Sequence, residues 1–238
     1  MMTILEDLHS THGHIQITQG KDGTVTYLQN GIFQSQADKH GVSTAAYIHV
    51  MAALVLQQGC KSVLIIGGAG GTLATMLHRR GCNVTMLDVN GYAFTLARRY
   101  FQLPEAVECI ETEGHEYLLH TNTQYDAIAI DAFDQRGAIP PAFMRTTFFR
   151  LVREALTPQG LAVMNILSAH DLDMNSDRIA QKAAEAKLPV ILFDWLGQQT
   201  RNCLLAMGQV DALNVPQFTE PGWLLREMKG LERRLPRA

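Results

Sequence analysis

The sequence predicts a doubly wound α/β domain built on a mainly parallel sheet and preceded by a small antiparallel β-sheet. Three observations carry this. Apolar runs of strand length alternate with helical patterns from residue 44 onward. The first run, Ser62–Ile66, ends directly on Gly67-Gly68-Ala69-Gly70-Gly71, and Asp88 closes the next run 21 residues after Gly67. Strands that alternate with helices and are apolar on both faces belong to a parallel sheet covered on both sides.

The chain opens differently. Residues 14–18 and 24–28 alternate apolar and polar positions, as half-buried strands do. Lys21-Asp22-Gly23 supplies a turn between them, and Asn30-Gly31 a second turn leading into 32–36. Three short strands bury too little apolar area to stand alone, so they are expected to pack on the remainder of the chain or on a second subunit. Residues 44–58 form an apolar helical pattern closed by Gly59. Helices are then expected over 72–80, 92–100, 141–156 and 176–187, and strands over 84–87, 107–110, 125–130, 161–167, 190–193 and 203–207. Gly81, Thr157-Pro158-Gln159-Gly160 and Pro189 punctuate them. The tail carries one amphipathic stretch, 223–231, read as a docking helix. This divides the chain into a small β region (1–42), a Rossmann-like nucleoside-binding domain (43–210) and a tail (211–238).

Composition narrows the chemistry. A 47% hydrophobic and 18% charged sequence builds a packed core, and a net charge of −3 gives no general attraction to nucleic acid or anionic lipid. Cys60, Cys82, Cys109 and Cys203 are scattered without a C-x-x-C pair, which suits isolated thiols in a reducing compartment. No basic segment followed by an apolar run marks a signal peptide, and no apolar run approaches the roughly 20 residues of a membrane helix. A soluble, cytoplasmic protein acting on small molecules is expected, with neither nucleic acid nor membrane as partner.

In open α/β sheets ligands bind beyond the carboxyl ends of the strands. There the glycine turn lets backbone approach a ligand, and Asp88 stands where a carboxylate accepts the hydroxyls of a ribose. Glu113-Gly114 follows the third strand, suited to an adenine edge, and Asp131 and Asp134 follow the fourth. Four acids on one sheet edge leave little room for a pyrophosphate. They favour a phosphate-free cationic nucleoside, an S-adenosyl sulfonium, over a dinucleotide.

These residues resemble the polyamine aminopropyltransferase family, spermidine synthase and its relatives. The segments 64–68, 85–88, Glu113-Gly114 and Asp131-Ala132-Phe133-Asp134 occur in that family's order, and 28–34 is similar to its small-sheet hairpin. Asp38 and Tyr47 fall near its gatekeeping acid and tyrosine. The resemblance implies a methyltransferase-type Rossmann-like fold and a homodimer. It also implies S-adenosylmethionine or its decarboxylated form as co-substrate, and an amine acceptor. Gln34 would touch the sulfonium ligand from the lid side, with Gly67, Gly68, Ala69 and Gly71 beneath it. Asp88 would hold the ribose, Glu113 and Gly114 the adenine, and Asp131 would sit at the same edge. Asp134, assisted by Tyr47, would take the proton of the attacking amine, since a protonated amine is no nucleophile. No metal is needed for that displacement.

The sequence departs from the family at several points. The glycine turn is one residue shorter, and Ala69 and Gly70 stand where family members carry an aspartate. Ile48 and His49 follow Tyr47, Gln135 replaces a proline after Asp134, and 195–198 lacks the family's tyrosine and proline pattern. Two alternatives therefore stand beside aminopropyl transfer: an S-adenosylmethionine-dependent methyltransferase, and a non-catalytic nucleoside-binding or assembly protein. His9, His12 and His14 cluster on an N-terminal stretch expected to be mobile and to hold no native metal. Ser168, His170 and Asp171 list a hydrolase triad without a G-x-S-x-G elbow and are discounted.

Overall fold

The computed structural model describes residues 2–134 and 137–237; Gln135 lies outside them. An antiparallel sheet opens the chain: β1 (Thr3–Ser10), β2 (Gly13–Gln19), β3 (Val25–Gln29) and β4 (Ile32–Ala37), in that spatial order. The last three are the strands expected from alternation. The first is not, and it corrects the reading of a mobile histidine stretch. Residues 3–10 pair with β2, His14 is hydrogen-bonded to Asp7 at 2.6 Å, and His9 stacks on His14 with ring centroids 4.4 Å apart.

The large sheet comes next. Helix α1 (Ala46–Gln57) leads into β5 (Ser62–Ile66), α2 (Thr72–His78), β6 (Asn83–Asp88), α3 (Gly91–Phe101), β7 (Glu108–Glu111), α4 (Gly114–His120) and β8 (Tyr125–Ile130). After a 3-10 turn at Pro141–Met144 come α5 (Thr146–Ala155), β9 (Leu156–Ser168), α6 (Asn175–Glu185), β10 (Val190–Trp195), β11 (Arg201–Gly208), α7 (Gly222–Glu227) and β12 (Leu231–Arg234). Spatial order is β12-β10-β11-β9-β8-β5-β6-β7. The five strands from β9 to β7 run parallel; β11, β10 and β12 extend the sheet antiparallel.

Strand alternation sorts the core onto two faces. Val63 and Ile65 of β5 join the apolar layer with α1 and α2, while Leu64 and Ile66 join the opposite layer with α5 and α6. The small sheet packs on this same chain: Ile15, Ile17 and Tyr27 close against Leu96 and Phe101 of α3. Tyr27 and Phe101 are both buried, and each such side chain contributes about 1.5–3 kcal/mol. That placement hangs the β3–β4 hairpin over the carboxyl edge of the large sheet.

Two expectations change. The helix expected over 141–156 is broken, because Arg145 is extended (φ −103°, ψ 145°) between the 3-10 turn and α5. The break lets Phe143 fold back onto Phe148, rings stacked at 4.4 Å. Its last residue, Leu156, is already a strand residue paired with Tyr125. The tail also does more than dock a helix, since β12 pairs with β10 at the sheet edge.

A buried ionic clamp holds that tail. Asp177 of α6 and Asp194 of β10 are both fully buried. Arg234 donates to Asp177 at 2.6 Å and to Asp194 at 2.9 Å; Arg237 donates to Asp177 at 2.6 Å, and Arg201 to Asp194 at 2.7 Å. Burial pushes the Asp177 carboxyl up, but Arg234 and Arg237 outweigh it and bring the pKa down to about 2. Removing one partner of such a cluster strands buried charge. Asp177→Ala is therefore expected to lower unfolding stability by about 3 kcal/mol in urea titrations. A depressed carboxyl contributes fully above its ordinary value of 3.8 and loses that contribution as pH falls towards about 2. The difference between wild type and Asp177→Ala should accordingly shrink across that window in acid unfolding curves.

Candidate active site

The carboxyl ends of β5, β6 and β8 meet the glycine turn at one edge. Gly67 takes φ +84° and packs so closely on the Asp131 carbonyl and on Ala132 that no side chain fits there. Its amide donates to the Leu87 carbonyl at 3.0 Å, and the Asp131 amide donates to the Ile66 carbonyl at 2.9 Å. Gly71 caps α2 in the left-handed region at φ 65°. Ala69 is also left-handed, at φ 39°, a conformation unfavourable for a residue with a Cβ. Gly70 is closed to substitution for another reason. A Cβ there would lie 2.8 Å from the buried Phe101 ring and 2.9 Å from Ser35 Oγ. The missing loop carboxylate is thus matched by missing space.

Asp88 stands at the end of β6 as expected, and its carboxylate organises the turn. Oδ2 accepts from the amides of Gly68 (3.2 Å) and Ala69 (3.3 Å), and Oδ1 from the amide of Asn90 (2.9 Å). The helix-cap role falls to Asn90, which accepts from the Tyr92 amide. Glu113 is exposed and caps α4, accepting from the Glu116 amide at 2.9 Å. Gly114 is buried against Ile66, so closely that a Cβ there would collide with it.

A cavity of about 560 Å³ opens beside the turn. Gln34 and Phe33 of β4 cover it, Tyr47 of α1 and Gly67, Gly68, Ala69 and Gly71 form one side, and Asp131 sits at its base. Asp88, Glu113, Gly114 and Asp134 do not line it. Asp134 Oδ1 accepts from the Ala138 amide at 2.9 Å, and the Asp134 amide donates to the Ala138 carbonyl at 2.7 Å. Asp38, near the position of the family's gatekeeping acid, accepts from the amides of His40 and Val42. Of the two aspartates that follow β8, Asp131 lines the cavity and Asp134 does not.

Asp131 has a built environment. Tyr47 Oη donates to Oδ2 at 3.2 Å and Asn165 Nδ2 donates to Oδ1 at 2.8 Å. Burial raises its pKa, and the two hydrogen bonds, which favour the anion, work against that rise. Burial together with the neighbouring carboxylate pushes the Tyr47 phenol well above its ordinary value, so it stays a donor. A carboxylate held this way can accept a proton from a group placed in the cavity.

Sequence reasoning missed the far wall. Asn165, Trp195, Asn202, Trp223 and Glu227 all line the cavity. Asn165 had a signal, a single amide inside the apolar run 161–167; the others did not. Trp195 Nε1 donates to the Glu227 carbonyl at 2.8 Å and so fastens α7 to β10. Arg201 also lines this wall, its charge met by Asp194 and by Asp171 at 3.2 Å. No triad forms at Ser168: its hydroxyl is buried, and the Asp171 carboxylate accepts from the Gly197 amide at 3.1 Å. Among the described residues no three His, Cys, Asp or Glu side chains gather as a metal site, and no helix is long and apolar enough to cross a membrane.

Comparison with known proteins agrees with this architecture. A probable polyamine aminopropyl transferase of Bifidobacterium longum is 29% identical over 161 residues, covering 66% of this chain and 36% of the relative. A polyamine aminopropyltransferase of Chromobacterium violaceum is 31% identical over 121 residues, 49% of this chain and 46% of that one. The chain thus matches less than half the length of either relative. The crystal structure of a probable spermidine synthase from Corynebacterium glutamicum superposes with a TM-score of 0.79 at 16% identity, over 99% of this chain and 91% of that one, a likeness of fold. The family model described as the spermine/spermidine synthase domain matches residues 46–187, which takes in the glycine turn, Asp88, Asp131 and Asn165 but not Trp195, Asn202, Trp223 or Glu227. The chain belongs to the spermine/spermidine synthase domain family.

Proposed function

We propose that this chain transfers an aminopropyl group from decarboxylated S-adenosylmethionine to an amine acceptor, with Asp131 as the proton acceptor. One observation carries the reading: a half-buried carboxylate, held by two donors, at the base of a cavity roofed by the β3–β4 hairpin and flanked by the glycine turn. The acceptor's nitrogen lone pair attacks the methylene carbon bound to the sulfonium sulfur. The carbon–sulfur bond breaks with its electron pair going to sulfur, which leaves methylthioadenosine. The proton that the nitrogen sheds passes to Asp131, and Tyr47 keeps that carboxylate aimed.

The donor's nucleoside fits the turn. Asp88 has lone pairs beyond those given to the loop amides, and these serve the ribose; the Glu113-Gly114 turn at the end of β7 lies on the adenine side. Gln34 closes over the sulfonium from above. A second reading, methyl transfer from intact S-adenosylmethionine, draws support from Ala69 and Gly70. With no carboxylate in the turn, the intact donor's own carboxylate meets no like charge there.

Calorimetry with S-adenosylmethionine, its decarboxylated form and methylthioadenosine separates the readings. Preference for the decarboxylated donor is expected, and preference for the intact one would overturn the proposal in favour of the second. Asp131→Asn should cut transfer at least about 100-fold while leaving methylthioadenosine binding within about threefold. Retention of full turnover would remove Asp131 from the mechanism. Gly70→Asp, which restores an acid to the turn, should fail to improve donor binding. The new side chain would displace Phe101 at a cost of about 1–3 kcal/mol, read as a lower denaturant midpoint.

A further inference from the structure

Of the two described side chains that donate to Asp131, Tyr47 and Asn165, the second is itself held in place. Asn165 projects from β9, only 2% exposed, between the buried apolar neighbours Met164 and Ile166. An amide in such surroundings is costly unless both its ends are matched. Here they are. Nδ2 donates to Asp131 Oδ1 at 2.8 Å, and Oδ1 accepts from Asn202 Nδ2 at 2.9 Å. Asn202 reaches it from β11, where the register pairs Leu204 with Asn165 and Asn202 with Leu167, so the two amides are diagonal neighbours on one face of the sheet.

The two ends of a primary amide have nearly the same shape and opposite hydrogen-bonding character. Asp131 offers only acceptors when ionised, and Asn202 presents its Nδ2 donor. If the Asn165 amide were reversed, its carbonyl would face the carboxylate and its NH2 would face another NH2. Both bonds would be lost and replaced by repulsive contacts. Asn202 therefore acts on Asp131 without touching it.

We propose that Asn165 and Asn202 are positioning residues for the proton-accepting carboxylate: Asn202 locks the Asn165 amide so that its N–H faces Asp131, which keeps that carboxylate ionised and oriented into the cavity. The catalytic part of this inference rests on the role given to Asp131 above. Among the described residues the groups hydrogen-bonded to the Asp131 carboxylate are Tyr47 from α1 and Asn165 from β9, and the Tyr47 phenol stays protonated. Asn202 lies beyond the span of the family match, so the device joins the shared part of the domain to the wall that this chain builds from β11.

The test is an NMR titration of the Asp131 carboxyl carbon in the whole chain, assigned with Asp131→Asn, together with the pH profile of aminopropyl transfer. Loss of a hydrogen bond to a charged group corresponds to a shift of about one to two pKa units. Asn165→Ala should raise the Asp131 pKa by about that much, and Asn202→Ala by about one unit. Asn202→Asp should raise it further, because the new carboxylate draws the Asn165 N–H to itself and turns the amide carbonyl towards Asp131. The acid limb of the rate profile should move up in the same order, with kcat recovering at higher pH and KM for the amine little changed. A merely structural loss would depress the rate at every pH. Asn202 is only half-buried, so its variants keep the test open if Asn165→Ala misfolds. An unmoved Asp131 titration in both Asn202 variants would overturn the proposal. A wild type that transfers no aminopropyl group while the titration moves as expected would sink the proposed activity and leave the amide lock standing.

Discussion

The close approach of Gly67 to the carbonyl of Asp131 is the contact on which the arrangement of the site depends. Two parallel strands, β5 and β8, end side by side, and the chain leaving each must turn away without a side chain between them. Gly67 meets that condition because it has no Cβ and accepts a positive φ. The amide of Asp131 then completes the ladder onto Ile66, and the side chain emerges at the sheet edge beside the glycine turn. A larger residue at 67 would push the two strand ends apart and move the carboxylate with them.

Around that contact the acids that look equivalent in the sequence acquire different work. Asp88 is turned into the turn and organises its amides. Glu113 is turned outward as a helix cap, Asp134 accepts from the Ala138 amide, and Asp131 alone of the four lines the cavity. Their environments differ as much as their positions. An exposed carboxylate capping a helix stays a strong hydrogen-bond acceptor for the backbone. A half-buried one balanced between desolvation and two donors is suited to exchanging a proton.

The cavity's far side is held by interactions of another kind. Strand β12 and helix α7 come from the last part of the chain, and the Arg201–Asp194–Arg234–Asp177–Arg237 cluster ties them to β10 and α6. The Trp195–Glu227 hydrogen bond then sets α7 against the cavity. Carboxylates with no solvent contact, as Asp177 and Asp194 are, hold their charge only in a narrow set of geometries, so this clamp fixes the wall's place more than it adds stability.

Much of the fold was legible because it is local. The run Ser62–Ile66, the turn after it and the run ending at Asp88 declare themselves through apolar continuity and glycine, and the structure contains them as read. Strand β1 was not legible, since its apolar residues Ile4, Leu5 and Leu8 do not alternate with polar ones and it forms by pairing with β2; β12, with Glu232, Arg233 and Arg234 after Leu231, likewise forms by pairing at the other end. The break at Arg145 was hidden because no proline or glycine stands there and the gain is tertiary, Phe143 stacking on Phe148. By itself the sequence determined the alternating sheet, the glycine turn and the edge on which the acids gather. Only the tertiary structure decided which acid faces the cavity, what holds it and what forms the opposite wall. Side-chain direction at a strand end depends on loop geometry and on partners such as Asn165 and Asn202, 34 and 71 residues away in the chain.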